Sequence, residues 1–140
     1  VMAPQSLAKV LVSNGAGKYL VLRSSEWPEN PKRSLQPDLP GGLVEDGETA
    51  IEGAIRELEE ETGLKVLPNE MQLVRTKQET HDGKLYERSV YFVTVKNPKI
   101  TLSWEHDSYR WMSADEVLKL EMREPYPELF QFMHEKGFLI

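Results

Sequence analysis

The chain contains no cysteine. Disulfide bonds, thiolate nucleophiles and zinc–thiolate centres are therefore excluded. No apolar run approaches the ~20 residues of a membrane-spanning helix, and no segment has the pattern of a signal peptide, so we expect no membrane partner. Internal repeats and low-complexity segments are also missing. These absences are typical of a protein of the reducing cytoplasm, where we expect this one to act.

Positive charge is also scarce. There are 17 lysines and arginines against 23 acidic residues, which gives a net charge of −6. Because long nucleic acids bind to basic grooves, we do not expect one as a partner. An acidic protein can still bind a small polyphosphate if metal ions bridge the two. The length suits one compact domain, and we expect residues 1–140 to form it.

Much of the negative charge lies in one segment, residues 42–64. Thr49 and Glu52 form a capping box, and Gly63 is the residue type that commonly ends a helix. We therefore predict a helix from Thr49 to Thr62. Its apolar stripe, at helical spacing, consists of Ile51, Ala54, Ile55, Leu58 and Thr62.

Three glutamates, Glu57, Glu60 and Glu61, lie side by side on a second face of this helix, and Gly53 leaves that face without a further side chain. Glutamates in the last turns oppose the helix dipole and repel one another, although each effect is small at an exposed site. A solvated acidic face is the alternative. Arg56 is the only cation in the helix. Carboxylate oxygens are the ligands that Mg²⁺ and Mn²⁺ prefer, so the face is a candidate metal site.

The segment resembles the signature of the Nudix hydrolases: a glycine, five residues, a glutamate, seven residues, then R-E-U-x-E-E-x-G-U with U aliphatic. Nine fixed positions make this a specific pattern. Pro40 and Gly41 extend the match to the P-G-G entry that is usual in the family. The nine positions are filled here by Gly42, Glu48, Arg56, Glu57, Leu58, Glu60, Glu61, Gly63 and Leu64.

The resemblance implies an α+β fold, an α-β-α sandwich in which a mixed sheet lies between helices. It also implies metal-assisted hydrolysis of the pyrophosphate bond in a nucleoside diphosphate linked to another moiety. Mg²⁺ or Mn²⁺ would be held by Glu57, Glu60, Glu61 and the Gly41 carbonyl. A non-catalytic Nudix-fold module that binds nucleotides or proteins is the alternative, but such modules usually lack one or more of these carboxylates.

Arg56 and Glu105 are two further candidate catalytic residues. Arg56 would orient a glutamate of the signature, with Glu48 the expected partner; an i,i+4 surface pair with Glu52 or Glu60 is the alternative. Glu105 stands six residues before Trp111, a spacing similar to that of the late metal-binding glutamate in MutT-type members.

The general base would be a glutamate of the signature or an acid from a later loop. Glu105 is the candidate for this outside acid, and we predict it to be a metal ligand as well. His106 and Asp107 share its loop as weaker alternatives. His81 falls in a predicted turn and is expected to be a surface residue.

The substrate-binding residues are less closely defined. We predict Trp27, in the proline-rich segment 24–39, to stack on a base, and Arg23 to meet a phosphate. Gly42 would let the backbone approach the ligand closely. A core position for the aromatic residue and plain solvation for the cation are the alternatives. The family's known sub-signatures for ADP-ribose and diadenosine polyphosphates are missing, which leaves a MutT-like hydrolase of a (deoxy)nucleoside triphosphate or related nucleotide.

Outside the signature, hydrophobic alternation and turn residues predict six strands and two helices. The turns fall at residues 14–17 and 81–84. A capping box at 113–116 and a proline at 127 predict the starts of the helices. The predicted strands are Leu7–Ser13, Lys18–Arg23, Met71–Thr80, Leu85–Val95, Lys99–Ser103 and Ser108–Met112, and the helices extend to about Leu120 and to Gly137.

Overall fold

Short strands alternate with three α-helices along the part of the chain that is described, residues 3–140 of a computed structural model. Val1 and Met2, which belong to the expected domain of residues 1–140, lie outside the described residues. The strands are β1 Gln5–Ser13, β2 Tyr19–Ser24, β3 Pro37–Asp38, β4 Gly41–Leu43, β5 Gln72–His81, β6 Lys84–Thr94 and β7 His106–Met112. The helices are α1 Ala50–Thr62, α2 Ala114–Leu118 and α3 Tyr126–Glu135, with a single 3₁₀ turn at Pro68–Glu70.

All seven strands belong to one mixed sheet with the order β3-β2-β1-β6-β5; β4 pairs with β1, and β7 pairs with β2. The central pair, β1 and β6, is parallel over nine registered residues, and the other pairs are antiparallel. A parallel pair needs a crossover connection, and α1 lies within the one that joins these two strands. The predicted mixed sheet is therefore confirmed.

The sheet separates two hydrophobic cores. Successive residues of a strand point to opposite faces, so Val10 and Val12 of β1 pack with Ala54 and Leu58 of α1. Leu11 faces the other way, into a core shared with α2 and α3. Helices thus cover both faces, as the predicted α-β-α sandwich requires. The α3 residues in that second core are Tyr126, Leu129, Phe130 and Met133.

The two predicted hairpins form, with turns between Ser13 and Tyr19 and between His81 and Lys84. The predicted strand at residues 99–103 is wrong, because that segment is irregular. Its Thr101 amide donates to the carbonyl of Thr62 at the end of α1, 2.9 Å away. Ile100 and Leu102 are partly buried against the α1 core, so their alternation reflects packing on a helix. The helix α2 ends two residues before the predicted Leu120.

Helix α1 begins and ends where its local signals predict. The Thr49 hydroxyl accepts from the Glu52 amide at 3.3 Å, and the Glu52 carboxylate accepts from the Thr49 amide at 2.9 Å. Gly63 adopts the left-handed conformation, with φ of 76°, and closes the helix. No helix within residues 3–140 has the length and apolar character needed to cross a membrane.

Candidate active site

The P-G-G entry, residues 40–42, lies between β1 and the end of α1. Gly41 pairs with Lys9 of β1 at a φ of 141°, and a Cβ here would overlap the Ala8 carbonyl oxygen. A Cβ on Gly42 would lie 3.0 Å from Oε1 of Glu57. Gly41 therefore brings bare backbone against β1 in a conformation that favours glycine. Gly42 places its backbone close to the Glu57 carboxylate.

Arg56 gathers the carboxylates on one side of α1. Its Nε and Nη2 donate to the two oxygens of Glu48 at 2.7 and 2.9 Å, and its Nη1 donates to Glu57 and Glu60 at 3.1 and 3.2 Å. Both contacts considered from the sequence, with Glu48 and with Glu60, are therefore present, whereas Glu52 is used in the helix cap. The hydrogen bonds from Arg56 lower the pKa of Glu48 to about 2.

Glu61 lies one helical turn after Glu57 and is 1% exposed. Its Oε2 accepts from the Gly41 amide at 3.3 Å, and its Oε1 lies 3.5 Å from Nδ1 of His106. Burial raises the pKa of Glu61 far above its usual range; a hydrogen bond to Glu57 and the charges of Glu57 and Glu105 act in the same direction, and Lys9 opposes them. Negative charge is thus crowded around the end of α1.

The residues present fit a divalent cation by their chemistry. Within residues 3–140 the acidic side chains do not converge into a ready-made metal shell, because Arg56 holds Glu57 and Glu60. The donor set is nonetheless hard oxygen throughout, from carboxylates and the Gly41 carbonyl, which is the set that Mg²⁺ and Mn²⁺ prefer. Burial, with the nearby acids Glu57 and Glu105, raises the pKa of Glu61, and a bound cation would favour its charged form.

A buried ion pair between Lys9 and Asp38, which was not predicted from the sequence, contacts the P-G-G entry. Lys9 donates to Asp38 at 3.1 Å and to the carbonyls of Leu39 and Gly41 at 3.1 and 3.5 Å. Asp38 also accepts from the Tyr126 hydroxyl at 2.8 Å. The signal was available, since Lys9 is the one charged residue in an apolar strand and occupies an inward-facing position.

A cavity of about 410 Å³ opens beside the two glycines. Its charged lining consists of four cations and four carboxylates: Lys9, Arg33, Arg88 and Arg123, with Asp38, Glu57, Glu105 and Glu124. We call the three arginines the arginine ridge. Neither Arg88 nor Arg123 was singled out from the sequence. Carboxylates that suit a metal ion thus lie in the same cavity as cations that suit phosphate oxygens.

Of the remaining predicted residues, Glu105 lines the cavity and pairs with Arg33 at 3.1 Å. Glu60 and Trp27 do not line it. The Glu60 side chain is 55% exposed. Trp27 packs against Trp104, with ring centroids 5.1 Å apart.

Three further residues also lie outside the lining of the cavity. Arg23 pairs with Asp107 at 2.7 Å, on the outer part of β2 and away from the carboxylates. His106 is buried between Asp38 and Glu61. His81, predicted to lie in the turn, is the last residue of β5 and contacts Glu79.

Comparison with known proteins agrees with this geometry. A family model described as the NUDIX domain matches residues 4–133. The asymmetrical bis(5'-nucleosyl)-tetraphosphatase of Rattus norvegicus is 31% identical over 113 residues, covering 67% of this chain and 69% of the relative. Phosphatase NudJ of Shigella boydii is 32% identical over 120 residues, covering 81% and 72%. The crystal structure of the MutT protein from Methanosarcina mazei superposes with a TM-score of 0.81 at 28% identity, covering 98% and 99%.

A mixed sheet between helices, with a glutamate-rich helix end beside a P-G-G entry, is the Nudix arrangement, and the chain belongs to the Nudix family. It is an enzyme, a Nudix hydrolase. Hydrolases of this family act on pyrophosphate bonds of nucleotides and generally need divalent metal ions. The alternative of a non-catalytic module is therefore set aside.

Proposed function

We propose that this protein hydrolyses the phosphoanhydride of a nucleoside diphosphate linked to another moiety, with Mg²⁺ or Mn²⁺ as the cofactor. The observation that carries the proposal is a cavity whose lining places Glu57 and Glu105 together with Lys9 and the arginine ridge. A polyphosphate is repelled by the carboxylates and attracted by the cationic side chains. A cation held by the carboxylates lets both sets of residues contact one substrate.

In this proposal Glu57, Glu60, Glu61, Glu105 and the Gly41 carbonyl are the metal ligands. Glu57 and Glu60 would exchange their contacts with Arg56 for contacts with the cation, and Arg56 would keep its two bonds to Glu48. Once bound, the metal neutralises phosphate charge and lowers the pKa of a bound water.

Glu105 is the proposed acid that accepts the proton of the attacking water. It comes from a loop outside the signature and reaches the same cavity as Glu57. Arg33 holds its carboxylate at 3.1 Å, which fixes its direction toward the cavity. The glutamates of the signature remain the alternative source of the base.

Base stacking falls to the aromatic pair of Trp27 and Trp104. The Trp104 side chain is 73% exposed, which is unusual for so large an apolar ring and is typical of binding surfaces. The Arg33 guanidinium lies 4.2 Å from the centre of the Trp27 ring, so the pair connects to the arginine ridge. Arg33 therefore takes the phosphate-facing role that the sequence analysis gave to Arg23.

Two substrate classes are compatible with this site. The sequence favours a (deoxy)nucleoside triphosphate. The similarity to tetraphosphatases named for bis(5'-nucleosyl) substrates supports dinucleoside polyphosphates as the second class. Both carry a nucleobase, which the tryptophan pair would bind, and a phosphate chain, which the cavity would bind.

The proposal is tested by a hydrolysis panel of nucleoside triphosphates, dinucleoside polyphosphates, nucleotide sugars and ADP-ribose. Each is assayed with Mg²⁺, with Mn²⁺ and with excess EDTA, and products are separated by ion-exchange chromatography. We expect metal-dependent release of a nucleotide from at least one of the first two classes. Equal rates with EDTA, or hydrolysis of simple phosphate monoesters alone, would contradict the proposal.

A further inference from the structure

The active-site cavity has a neighbour. A second cavity, of about 470 Å³, lies on the other side of the arginine ridge and shares Arg33, Arg88 and Arg123 with the first. Its remaining lining includes Lys32 and His81. Cationic side chains outnumber carboxylates in this second lining, four to two, counting Lys32 and the ridge against Asp82 and Glu124. Its balance of charge therefore suits an anion.

Arg88 occupies an unusual place within the ridge. It sits on β6 with only 7% of its surface exposed, and its Nε donates to Glu79 at 2.8 Å. Its guanidinium lies 5.7 Å from the centre of the Tyr126 ring. Yet its Nη1 is buried and has no acceptor anywhere in residues 3–140. A buried charged donor without an acceptor is costly, so such groups commonly serve a ligand.

The other two members of the ridge already have acceptors. Arg33 donates to Glu105 at 3.1 Å. Arg123 donates to the Pro37 carbonyl at 3.0 Å. Among the three ridge residues, Arg88 is the one with a buried donor, Nη1, that has no acceptor within residues 3–140. A guanidinium is well suited to phosphate, because its planar fork matches two phosphate oxygens.

We propose that Arg88 is a specificity-determining residue that binds a phosphate beyond the scissile anhydride. The inference rests on the proposed function, in which a cation held by Glu57 and Glu105 would bind the scissile anhydride. A phosphate chain that starts there and continues across the cavity meets the ridge next. The group attached to the far end of the chain then enters the second cavity. The enzyme accordingly favours polyphosphates whose chain extends past the cleaved bond.

The competing explanation is that Arg88 only neutralises Glu79. The strand pairing supports this explanation, because Glu79 on β5 lies diagonally across from Arg88 on β6. Under that explanation, loss of Arg88 would weaken the fold and would affect every substrate alike. Under ours, the loss falls most heavily on long phosphate chains.

The kinetic test uses Arg88→Gln and Arg88→Lys with ADP-ribose, ATP and diadenosine tetraphosphate, each with Mg²⁺. For Arg88→Gln we expect the ratio of kcat/KM for the tetraphosphate to that for ADP-ribose to fall by about tenfold or more, mainly through KM. Arg88→Lys keeps the charge but loses the fork, so its loss is smaller. Arg75→Gln is the matched control. Arg75 lies on the neighbouring strand β5, pairs with Glu128 of α3 at 2.6 Å, and lines neither cavity.

A binding test separates this inference from the proposed function. Thermal unfolding is followed with EDTA, with and without inorganic tripolyphosphate. We expect tripolyphosphate to raise the Tm of the wild type and of Arg75→Gln, and to lose that effect in Arg88→Gln. If the wild type hydrolyses none of the nucleotides, the proposed function fails, but the tripolyphosphate binding test still reports on Arg88.

Stability is controlled with the double variant Glu79→Gln/Arg88→Gln, which removes both charges and leaves no buried carboxylate unpaired. Recovery of the Tm in this variant without recovery of tripolyphosphate binding supports the inference. Equal tripolyphosphate shifts in the wild type and the double variant overturn it. An Arg88→Gln enzyme that loses the same factor on ADP-ribose and on the tetraphosphate overturns it as well.

Discussion

At the scale of single residues, the chemistry depends on which carboxylates are held by hydrogen bonds and which lie close to other acidic side chains. Glu48 is held by two hydrogen bonds from Arg56, whereas Glu57 receives only one. Glu61 is buried among other acids and has a raised pKa. The same residue type therefore occupies three different electrostatic environments within about four turns of helix and loop. Glu48 has a positioning role, and Glu57 and Glu61 are suited to a cation.

Replacing Glu57 with Gln should remove most of the activity. The side chain lines the cavity, and a lost metal ligand costs several kcal/mol of transition-state stabilisation, which corresponds to a fall in kcat/KM of about a hundredfold or more. Steady-state kinetics with Mg²⁺ measure this. Glu59→Gln is the control, because Glu59 lies in the same helix and is exposed. Equal activities for the two variants would contradict the assignment.

Replacing Glu48 with Gln should change the pH dependence of stability. The pKa of Glu48 is lowered from 4.5 to about 2 in the folded state. Such a group stabilises the fold above pH 4.5 and loses that contribution as the pH falls toward 2. We expect the wild type to exceed the variant in Tm at pH 6, with the difference shrinking between pH 4.5 and 2. A difference independent of pH would show that the ion pair with Arg56 contributes nothing.

At the scale of elements, α1 is the part that the sequence predicts best. Its start and end depend on residues in the helix or directly beside it, namely Thr49, Glu52 and Gly63. Local signals of this kind are unaffected by what packs nearby. The segment at 99–103 shows the opposite case. Its alternation is strand-like, but Thr101 bonds to the end of α1 instead of to a strand, a tertiary choice that no local pattern contains.

The Thr49 cap is directly testable. Thr49→Ala removes the hydroxyl that accepts from the Glu52 amide, and the loss of such a cap costs about 1 kcal/mol. Thr49→Ser keeps the hydroxyl and is the matched control. Urea unfolding followed by circular dichroism measures both. If the alanine variant is as stable as the serine variant, the capping box does not stabilise α1.

At the scale of the whole molecule, one ion pair connects the sheet, the entry segment and the last helix. Lys9 and Asp38 are 9% and 4% exposed. Burial alone would raise the pKa of Asp38, but Lys9, together with His106, Arg123 and Tyr126, holds it below its usual range. The pair reaches from β1 to Tyr126 at the start of α3. It thereby fixes the floor of the cavity relative to both layers of helices.

Lys9→Met should therefore be strongly destabilising. Removing one partner of a buried pair leaves the other charge uncompensated, at a cost of about 3–5 kcal/mol. Lys18→Met is the control, because Lys18 lies 3.9 Å from Glu116 with both side chains nearly half exposed, and such surface pairs contribute about 0–1 kcal/mol. Denaturant unfolding compares them. Similar losses in the two variants would show that the buried pair has no special role.

The whole-molecule view also explains what the sequence could not predict. The signature supplies Gly42 and Glu57 of the cavity lining, and these residues are close together in the chain. The cationic lining comes from distant segments: Lys9 from β1, Arg88 from β6 and Arg123 from the segment before α3. The pairing of β1 with β6, in which Leu7 lies opposite Arg88, brings Lys9 and Arg88 together. Arg23, nearer in sequence to the signature, is directed elsewhere by its pairing with Asp107.

The most direct test of the central claim is manganese binding followed by electron paramagnetic resonance, with the wild type, Glu57→Gln and Glu59→Gln side by side. The loss of free Mn²⁺ signal reports bound ion without relying on catalysis. We predict that the wild type and Glu59→Gln bind Mn²⁺ with similar affinity and that Glu57→Gln binds it about tenfold or more weakly. Equal binding by all three proteins, or no binding by the wild type even with a nucleotide present, would contradict the claim that the end of α1 holds the metal.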